Sequence, residues 1–266
     1  MTTVADGQRP RLVSVCCRAC GKELGERPVP RVFGCRIPVA LLCDECVEAR
    51  EQRRRETREA EYQAAVDAVR ADIPGALASC GVPPRWRHAS LDECPDLPVD
   101  LVEAARGWAG SPREALFLHG PPGSGKTWLA VSILARVFDG GVLLPREVKF
   151  IGERAYLEHV RASFGTPGVD RCLSSSHPRR ARLLLLDDLG AGRGTDWVRD
   201  EVAALIEARH AAQLPTVFTS NLALDSIARM IDSRVASRLG EAGQVWEFPG
   251  KDLRIRASSE GKGRAE

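Results

Sequence analysis

Residues 120–127 read Gly-Pro-Pro-Gly-Ser-Gly-Lys-Thr and match the phosphate-binding loop pattern G-x-x-x-x-G-K-[ST]. The loop follows an apolar stretch, 115–119, that predicts a strand, and it opens a stretch, 126–138, that predicts a helix. Glycines allow backbone N–H groups to surround phosphate oxygens, and the helix N-terminus adds the positive end of its dipole. A glycine-rich turn that matches by chance is the alternative, and the strand–loop–helix context disfavours it.

This loop predicts a nucleotide site with bound Mg²⁺. We expect Lys126 to contact the β- and γ-phosphates and the Thr127 hydroxyl to ligate Mg²⁺. The nucleotide-binding set is the loop and the residue after it: Gly120, Pro121, Pro122, Gly123, Ser124, Gly125, Lys126, Thr127 and Trp128.

An acidic pair follows a second apolar run, Leu183–Leu186, about 60 residues downstream. Four consecutive leucines are typical of a central strand buried on both faces. A carboxylate at the end of such a strand lies at the mouth of the site, where Mg²⁺ needs an oxygen ligand. We predict that Asp187 ligates Mg²⁺ and that Asp188 orients the attacking water. Taken alone, the pair would be interpreted as a turn after a core strand.

Strand and helix patterns alternate after residue 99. Strands are predicted at 115–119, 148–151, 182–187 and 216–220, and helices at 126–138, 154–164 and 196–212. This alternation predicts an α/β fold with a parallel sheet covered by helices on both faces. Residues 222–256 predict short helices and two short strand-like pieces, the small C-terminal lid of the domain.

The N-terminal region is rich in cysteine. Six of the nine cysteines lie within the first 46 residues, where Cys17, Cys20, Cys43 and Cys46 form two C-x₂-C pairs separated by 22 residues. Two such pairs place four thiolates around a tetrahedral Zn²⁺, although the spacing slightly exceeds the usual one. Replacement of Cys17 by Cys16 in the ligand set stays open, as do buried or redox-active cysteines. An Fe–S cluster would use the same ligands, but nothing in the sequence indicates redox chemistry.

These patterns divide the chain into five segments. We predict a zinc-ribbon-like module at 1–46, a connecting charged helix at 47–73, a proline-rich lead-in or linker at 74–98, the α/β domain at 99–257 and a disordered tail at 258–266. The helix carries few apolar residues until Tyr62, Val66, Val69 and Ile73, whose spacing places them on one face.

Composition describes a globular chain and gives no general attraction to nucleic acid. Of the 266 residues, 44% are hydrophobic, and 38 Lys+Arg nearly balance 36 Asp+Glu. No apolar run has the length of a membrane span, and the first residues lack the apolar stretch of a signal peptide. A cytoplasmic location is therefore the expectation.

The combined motifs resemble the AAA+ ATPases, within the DnaC/IstB group of helicase loaders and transposition helper ATPases. The resemblance covers about residues 74–256 and rests on Gly81-Val-Pro-Pro-Arg-Trp-Arg87, the loop at 120–127, Leu183-Leu-Leu-Leu-Asp-Asp-Leu-Gly190, Thr219-Ser-Asn221 and Ser233-Arg-Val-Ala-Ser-Arg-Leu239. Most of the superfamily has Glu where this chain has Asp188, but this group resembles the Asp-Asp form. Slow, partner-gated turnover is therefore implied.

The resemblance also implies roles for later residues. Asn221 would be the polar sensor-1 residue, which helps to place the water against the γ-phosphate; its simpler interpretation is a turn-forming Asn. Arg234 or Arg238 would be the arginine finger, which reaches the γ-phosphate of a neighbouring subunit, with Arg238 slightly favoured. Arg254 would be the sensor-2 arginine of the lid, although Arg256 is close enough to compete.

The implied function is an ATP-dependent helicase loader that binds single-stranded DNA, assembles with ATP and delivers the hexameric replicative helicase during initiation of replication. The zinc module is expected to dock on a protein, with DNA contact second, and the basic run 179–182 could line a DNA channel or be a solvated turn. Three alternatives stay open: a transposition helper ATPase, a P-loop small-molecule kinase, and a zinc-based adaptor whose nucleotide site is structural.

Overall fold

The computed structural model describes residues 12–28, 31–32, 35–36, 41–94, 97–163, 177–192, 195–241, 243–248 and 250. The chain divides into two compact units, Met1–Ala64 and Ala65–Glu266, and each is described by itself. The segments 164–176 and 251–266 are outside the described residues, and so is the predicted tail at 258–266.

The first unit contains two small antiparallel pairs of strands followed by a long helix. Strand β1 (Leu12–Cys16) pairs with β2 (Glu23–Pro28), and β3 (Arg31–Val32) pairs with β4 (Cys35–Arg36). Helix α1 (Asp44–Ala71) begins earlier than the predicted residue 47 and therefore includes Cys46. Two acidic residues in its first turn interact favourably with the positive end of the helix dipole.

The second unit contains the remaining helices and a five-stranded sheet. In chain order its elements are α2 (Ile73–Ser79), a 3₁₀ helix (Pro84–Trp86), α3 (Val99–Gly110), β5 (Ala115–His119), α4 (Lys126–Asp139), a 3₁₀ helix (Pro145–Glu147), β6 (Val148–Gly152), α5 (Glu153–Ser163), β7 (Leu183–Asp187), α6 (Asp196–Ala211), β8 (Thr216–Ser220), α7 (Leu224–Met230), α8 (Ser233–Glu241) and β9 (Gly243–Glu247).

All five strands of this sheet are parallel and have the order β6-β7-β8-β5-β9. The carboxyl ends of β5 and β8 are in register, His119 beside Ser220, and β7 ends one strand away at Asp187. The predicted phosphate loop and acidic pair therefore emerge at the same edge of the sheet. This arrangement confirms the predicted α/β class and its parallel sheet.

Each face of the sheet is covered by its own apolar core. Along β7, Leu183 and Leu185 belong to the core that contains α3 and α4, whereas Leu184 and Leu186 belong to the core that contains α6 and α8. Alternation follows from strand geometry, since successive side chains point to opposite faces. Burial on both faces explains the continuous run of leucines.

The proline-rich lead-in is a folded part of the second unit and not a linker. Leu77, Val82, Ala89 and Leu91 are buried in the core of α3 and α4. The Phe150 N–H donates to the Cys80 carbonyl at 2.8 Å, which attaches the lead-in to β6. The prolines did not indicate this packing, because proline is common both in turns and at the first positions of helices. It has such a first position in α2 and in the first 3₁₀ helix.

The apolar face predicted near the end of α1 is also packed. Val66 is buried, and Val69 and Ile73 pack against the same core as the lead-in. Tyr62 stays partly exposed. No helix in the described segments combines the length and hydropathy that crossing a membrane requires.

Candidate nucleotide site and cysteine cluster

The phosphate loop connects β5 directly to α4. Gly125 precedes the helix with φ 94°, and Gly123 has φ 79°, so both occupy the left-handed region that glycine tolerates best. Gly120 lies against the backbone that follows β9, where an added Cβ would stand 2.8 Å from the Phe248 carbonyl oxygen. The loop is therefore built for close backbone approach at a helix N-terminus, which is the geometry of an anion site.

Lys126 is buried at the first position of α4. Its Nζ donates to the Gly120 and Pro121 carbonyl oxygens at 2.8 Å each and lies 3.4 Å from the Ser124 hydroxyl. The Lys126 ammonium therefore points into the phosphate loop, at whose C-terminal end Lys126 lies. Phosphate oxygens could replace these two carbonyl oxygens as acceptors for the Lys126 ammonium.

Asp187 joins the two motifs. Its Oδ1 accepts hydrogen bonds from the Thr127 hydroxyl at 2.8 Å and from the Thr219 hydroxyl at 2.6 Å. Burial raises the pKa of the Asp187 carboxyl, although the two hydroxyl bonds act in the opposite direction. When the Thr127 hydroxyl donates to this carboxylate, its lone pairs stay available for a hard cation. The predicted Mg²⁺ ligands therefore lie side by side.

Asp188 has a different environment from its neighbour. Its side chain is exposed, and its backbone has φ 58°, an uncommon conformation that Asp tolerates better than most residues. The Asp188 N–H donates to the Thr219 hydroxyl at 3.0 Å. One hydroxyl therefore fixes both acidic residues, and Thr219 is a site residue to which the sequence analysis gave no role of its own. The available signal was a hydroxyl side chain near the carboxyl end of a fully buried strand.

Aromatic side chains of the lead-in pack beside the helix that carries the loop. Trp86 and His88 contact Trp128 edge-on, with ring centroids 6.3 Å and 5.3 Å away. The Arg85 guanidinium stacks on Trp86 at 4.8 Å from the ring centroid. The charge of Arg85 offsets a small part of the rise in the pKa of Asp187 that burial causes. The lead-in thus places a cation near Asp187 and aromatic rings against Trp128, roles that were not predicted from the sequence.

The remaining residues implied by the resemblance are not gathered at the loop. Asn221 follows β8 and is exposed. Arg234 and Arg238 are exposed on α8, and Arg238 Nη1 lies 3.2 Å from His210 Nε2. Arg238 lines a cleft of about 520 Å³ that includes the first residues of β5 and β8, so it lies at the sheet edge opposite the phosphate loop. Arg254 and Arg256 are outside the described residues.

The basic run at 179–182 is engaged with carboxylates. Arg179 pairs with Glu201 at 2.6 Å, and Arg182 pairs with Glu147 at 2.8 Å. Tyr156 donates to the same Glu201 oxygen at 2.6 Å. These bonds hold the turn to the rest of the domain, so they favour a structural role for two of its three arginines.

The first unit brings four cysteines together. One ligand atom from each of Cys17, Cys20, Cys43 and Cys46 lies within 4.8 Å of the others. Four sulfurs about 2.3 Å from Zn²⁺ in a tetrahedron would be about 3.8 Å apart, and Cys20 and Cys43 are 3.6 Å apart. The cluster therefore has the donor set and spacing of a structural zinc site.

Local backbone structure explains why Cys17 and not Cys16 joins the cluster. The Gly21 N–H donates to the Cys17 carbonyl at 2.9 Å, and Gly21 has φ 79°, which closes a tight turn after β1. Cys17 is buried in this turn, whereas Cys16 ends β1 and is exposed. Hydrogen bonds from the backbone of Cys43 and Cys20 lower the pKa of the Cys17 thiol to about 6, whereas hydrogen bonds with the other three thiols raise the pKa of Cys46 to about 12. In the metal-free cluster, Cys17 is therefore the thiol that ionises most readily.

Comparisons with known proteins agree with this geometry. No protein-family model matches the chain. Over 115 residues, 43% of the chain, the sequence is 29% identical to the replicative helicase loader DnaI of Bacillus subtilis (strain 168). The match covers 35% of that protein, so the chain spans about a third of the curated relative. This similarity indicates homology to a helicase loader over the matched stretch.

Solved structures show the same fold. The DnaC helicase loader matches 63% of this chain and 100% of its own with a TM-score of 0.56 and 22% identity. DnaI matches 63% of this chain and 94% of its own with a TM-score of 0.53 and 23% identity. AMPPCP-bound DnaA from Aquifex aeolicus matches 68% and 56%, with a TM-score of 0.53 and 16% identity. The chain therefore shares the fold of these solved structures over about two thirds of its length.

Proposed function

We propose that this chain is an ATP-dependent helicase loader that delivers a replicative helicase to single-stranded DNA. The observation that carries the proposal is the direct bond between Thr127 and Asp187, which joins the phosphate loop to the acidic pair. Similarity to the loader DnaI over 115 residues favours a loader among proteins that share this loop.

In the proposed nucleotide site, each residue has one task. Lys126 exchanges its carbonyl acceptors for phosphate oxygens, and Thr127 with Asp187 holds Mg²⁺, which would neutralise charge on the phosphates. Asp188 orients the attacking water, helped by Asn221 after β8. DnaA structures with this fold hold AMPPCP, which supports an adenine nucleotide as the ligand.

The position of Arg238 supports completion of the site by a second copy. Arg238 is at the sheet edge opposite its own phosphate loop, and the five residues of β5 rise about 3.3 Å each between the two edges. An arginine there can reach a γ-phosphate only in a neighbouring subunit. We therefore propose ATP-dependent self-assembly with Arg238, or Arg234 one turn earlier, as the finger and Arg254 acting from the lid.

The cysteine cluster is proposed to bind Zn²⁺ and to hold the first unit in shape for docking on the helicase. A shell closed by Cys17, Cys20, Cys43 and Cys46 leaves no open position for catalysis. Single-stranded DNA is proposed as the other partner, because a DnaA structure with this fold contains it. The paired arginines of the 179–182 turn do not support a DNA role for that run.

A capture experiment tests this proposal. The Asp188→Asn protein should bind ATP and hydrolyse it slowly, so it should retain the purified replicative helicase of the same cell in ATP. Lys126→Ala should lose ATP affinity and capture together, although it keeps its fold by circular dichroism. The proposal requires an ATP-dependent oligomer in gel filtration; a monomer in ATP that does not retain the helicase would contradict it and favour a P-loop kinase.

A further inference from the structure

Glu153 is a buried acidic residue that none of the steps above uses. It begins α5, directly after β6, and its side chain is 3% exposed. Among the described residues it forms no ion pair; its two carboxylate oxygens accept backbone hydrogen bonds instead. Oε2 accepts from the Gly190 N–H at 2.5 Å, and Oε1 accepts from the Gly192 N–H at 3.2 Å. Both donors lie in the loop that follows the acidic pair.

These bonds complete the pairing of that loop. Five consecutive N–H groups, from Asp188 to Gly192, all have acceptors. Thr219 supplies the first two, through its hydroxyl and its carbonyl, and the Asp188 carbonyl supplies the fourth. Glu153 supplies the third and the fifth. The side chain of Glu153, which follows β6, therefore helps to fix the backbone conformation of the loop that follows β7.

The fit between the carboxylate and the loop is close. A Cβ added to Gly192 would stand 2.7 Å from Glu153 Oε1. Burial and the charge of Asp188 raise the pKa of the Glu153 carboxyl, although its two bonds to the loop oppose this. A buried carboxylate without a cation is costly to the fold, and what the structure gains from it is acceptors for two backbone N–H groups of this loop.

We propose that Glu153 is a positioning residue for ATP hydrolysis, which holds the 188–192 loop so that Asp188 faces the attacking water. The inference rests on the proposed function, since it assigns Asp188 to that water. Loss of the two hydrogen bonds from Glu153 should leave ATP binding intact, because the hydrogen bonds of Glu153 within the described residues go to Gly190 and Gly192 and not to the phosphate loop or Asp187. It should reduce the hydrolysis step alone.

Glu153→Gln tests this with little change in shape. The amide keeps one acceptor for the loop but places an NH₂ group against the second N–H. We expect kcat to fall about tenfold to a hundredfold, as misplacement of a reacting group does, while KM and the Kd for ATP change less than about twofold. Hydrogen exchange at the Gly190 and Gly192 amides should accelerate, and Glu158→Gln, on the same helix but exposed, should change neither.

A second variant approaches the same contact from the loop. Gly192→Ala should displace the carboxylate and lower kcat similarly, and Gly107→Ala, where nothing lies within 4 Å of the added Cβ, is its control. Faster exchange at 188–192 with unchanged kcat in both variants contradicts the positioning role. Parallel loss of kcat and ATP affinity also contradicts it, because that indicates a general structural role. No hydrolysis in the unmodified protein, with or without single-stranded DNA, contradicts the proposed function instead.

Discussion

The Asp187 carboxylate is 7% exposed and shares Oδ1 between the hydroxyls of Thr127 and Thr219. Its pKa is raised chiefly by burial, so the folded chain binds the proton more tightly than the unfolded chain does. Stability from this group is therefore present at low pH and is lost as the pH rises through the folded pKa. At neutral pH the charge that would bind Mg²⁺ destabilises the metal-free fold.

Asp187→Asn should therefore stabilise the nucleotide-free protein and abolish Mg²⁺-dependent ATP binding. Asn keeps the oxygen that both hydroxyls contact and removes the charge. Urea unfolding at pH 7 should show a higher midpoint than in the unmodified protein. The gain should shrink as the pH falls towards the ordinary Asp pKa of about 3.9, because the folded carboxyl, whose pKa is raised by burial, takes up its proton as the pH falls. Asp188→Asn, at an exposed position that tolerates either residue, removes only the weaker repulsion that Asp188 exerts on its buried neighbours, so it should raise the midpoint less; an equal gain there would contradict the argument.

At the scale of single residues, the side chains that a local sequence motif specifies were predictable. Lys126, Thr127 and Asp187 follow from a loop pattern and a strand end, and the structure brings them together. Thr219 and Glu153 were not assigned, because their roles depend on which strands are neighbours. The sequence order of the strands differs from their order in the sheet, so these contacts could not be derived from the chain alone.

Among the elements, the junction of α6 and β8 depends on one buried arginine. Arg209 is 1% exposed, and its guanidinium donates to the carbonyls of Pro178, Ala181 and Pro215 and to the Thr216 hydroxyl. Burial lowers the pKa of Arg209 to about 9, which leaves it charged at neutral pH. Arg209 therefore ties the turn before β7 to the start of β8.

Arg209→Met should destabilise this junction by about 3 kcal/mol, because it leaves buried carbonyls without donors. The loss should appear as a lower urea midpoint, and ATP affinity of the folded fraction should be unchanged. Arg154→Met, where the side chain is 91% exposed, should change stability by less than about 0.5 kcal/mol. A loss no greater than that of the control would show that the acceptors find water or other donors.

Elements of the parallel sheet were the most predictable part of the fold. The strands at 115–119 and 216–220 have the predicted bounds, and the other two sequence-predicted strands differ by one residue. Long apolar runs make such strands evident. Helix α2 and the packing of the lead-in were not predicted, because their short apolar stretches acquire a partner only when α3 and β6 are in place.

At the scale of the whole molecule, the chain combines two units that are stabilised by different means. Residues Ala65–Glu266 have two apolar cores on the faces of one sheet. In Met1–Ala64, the described residues buried as hydrophobic are only Val15, Cys17 and Cys43. With so few buried apolar side chains, this unit excludes little apolar surface from water, and small folds of this kind commonly need a further constraint. The cluster of four thiols can supply this constraint by binding a metal ion.

Removal of the Zn²⁺ proposed for this cluster should therefore unfold the first unit and spare the second. With a strong chelator, we expect release of about one Zn²⁺ per chain, since four thiolates close one tetrahedral shell, and loss of exchange protection across β1 and β2. ATP affinity should stay within about twofold, because no ligand of the nucleotide site lies before Ala65. Cys43→Ser should reproduce the chelated state, whereas Cys16→Ser, outside the cluster, should keep the metal. Zinc retained by Cys43→Ser, or ATP binding lost on chelation, would contradict the separation of roles, because each unit would then depend on residues assigned to the other.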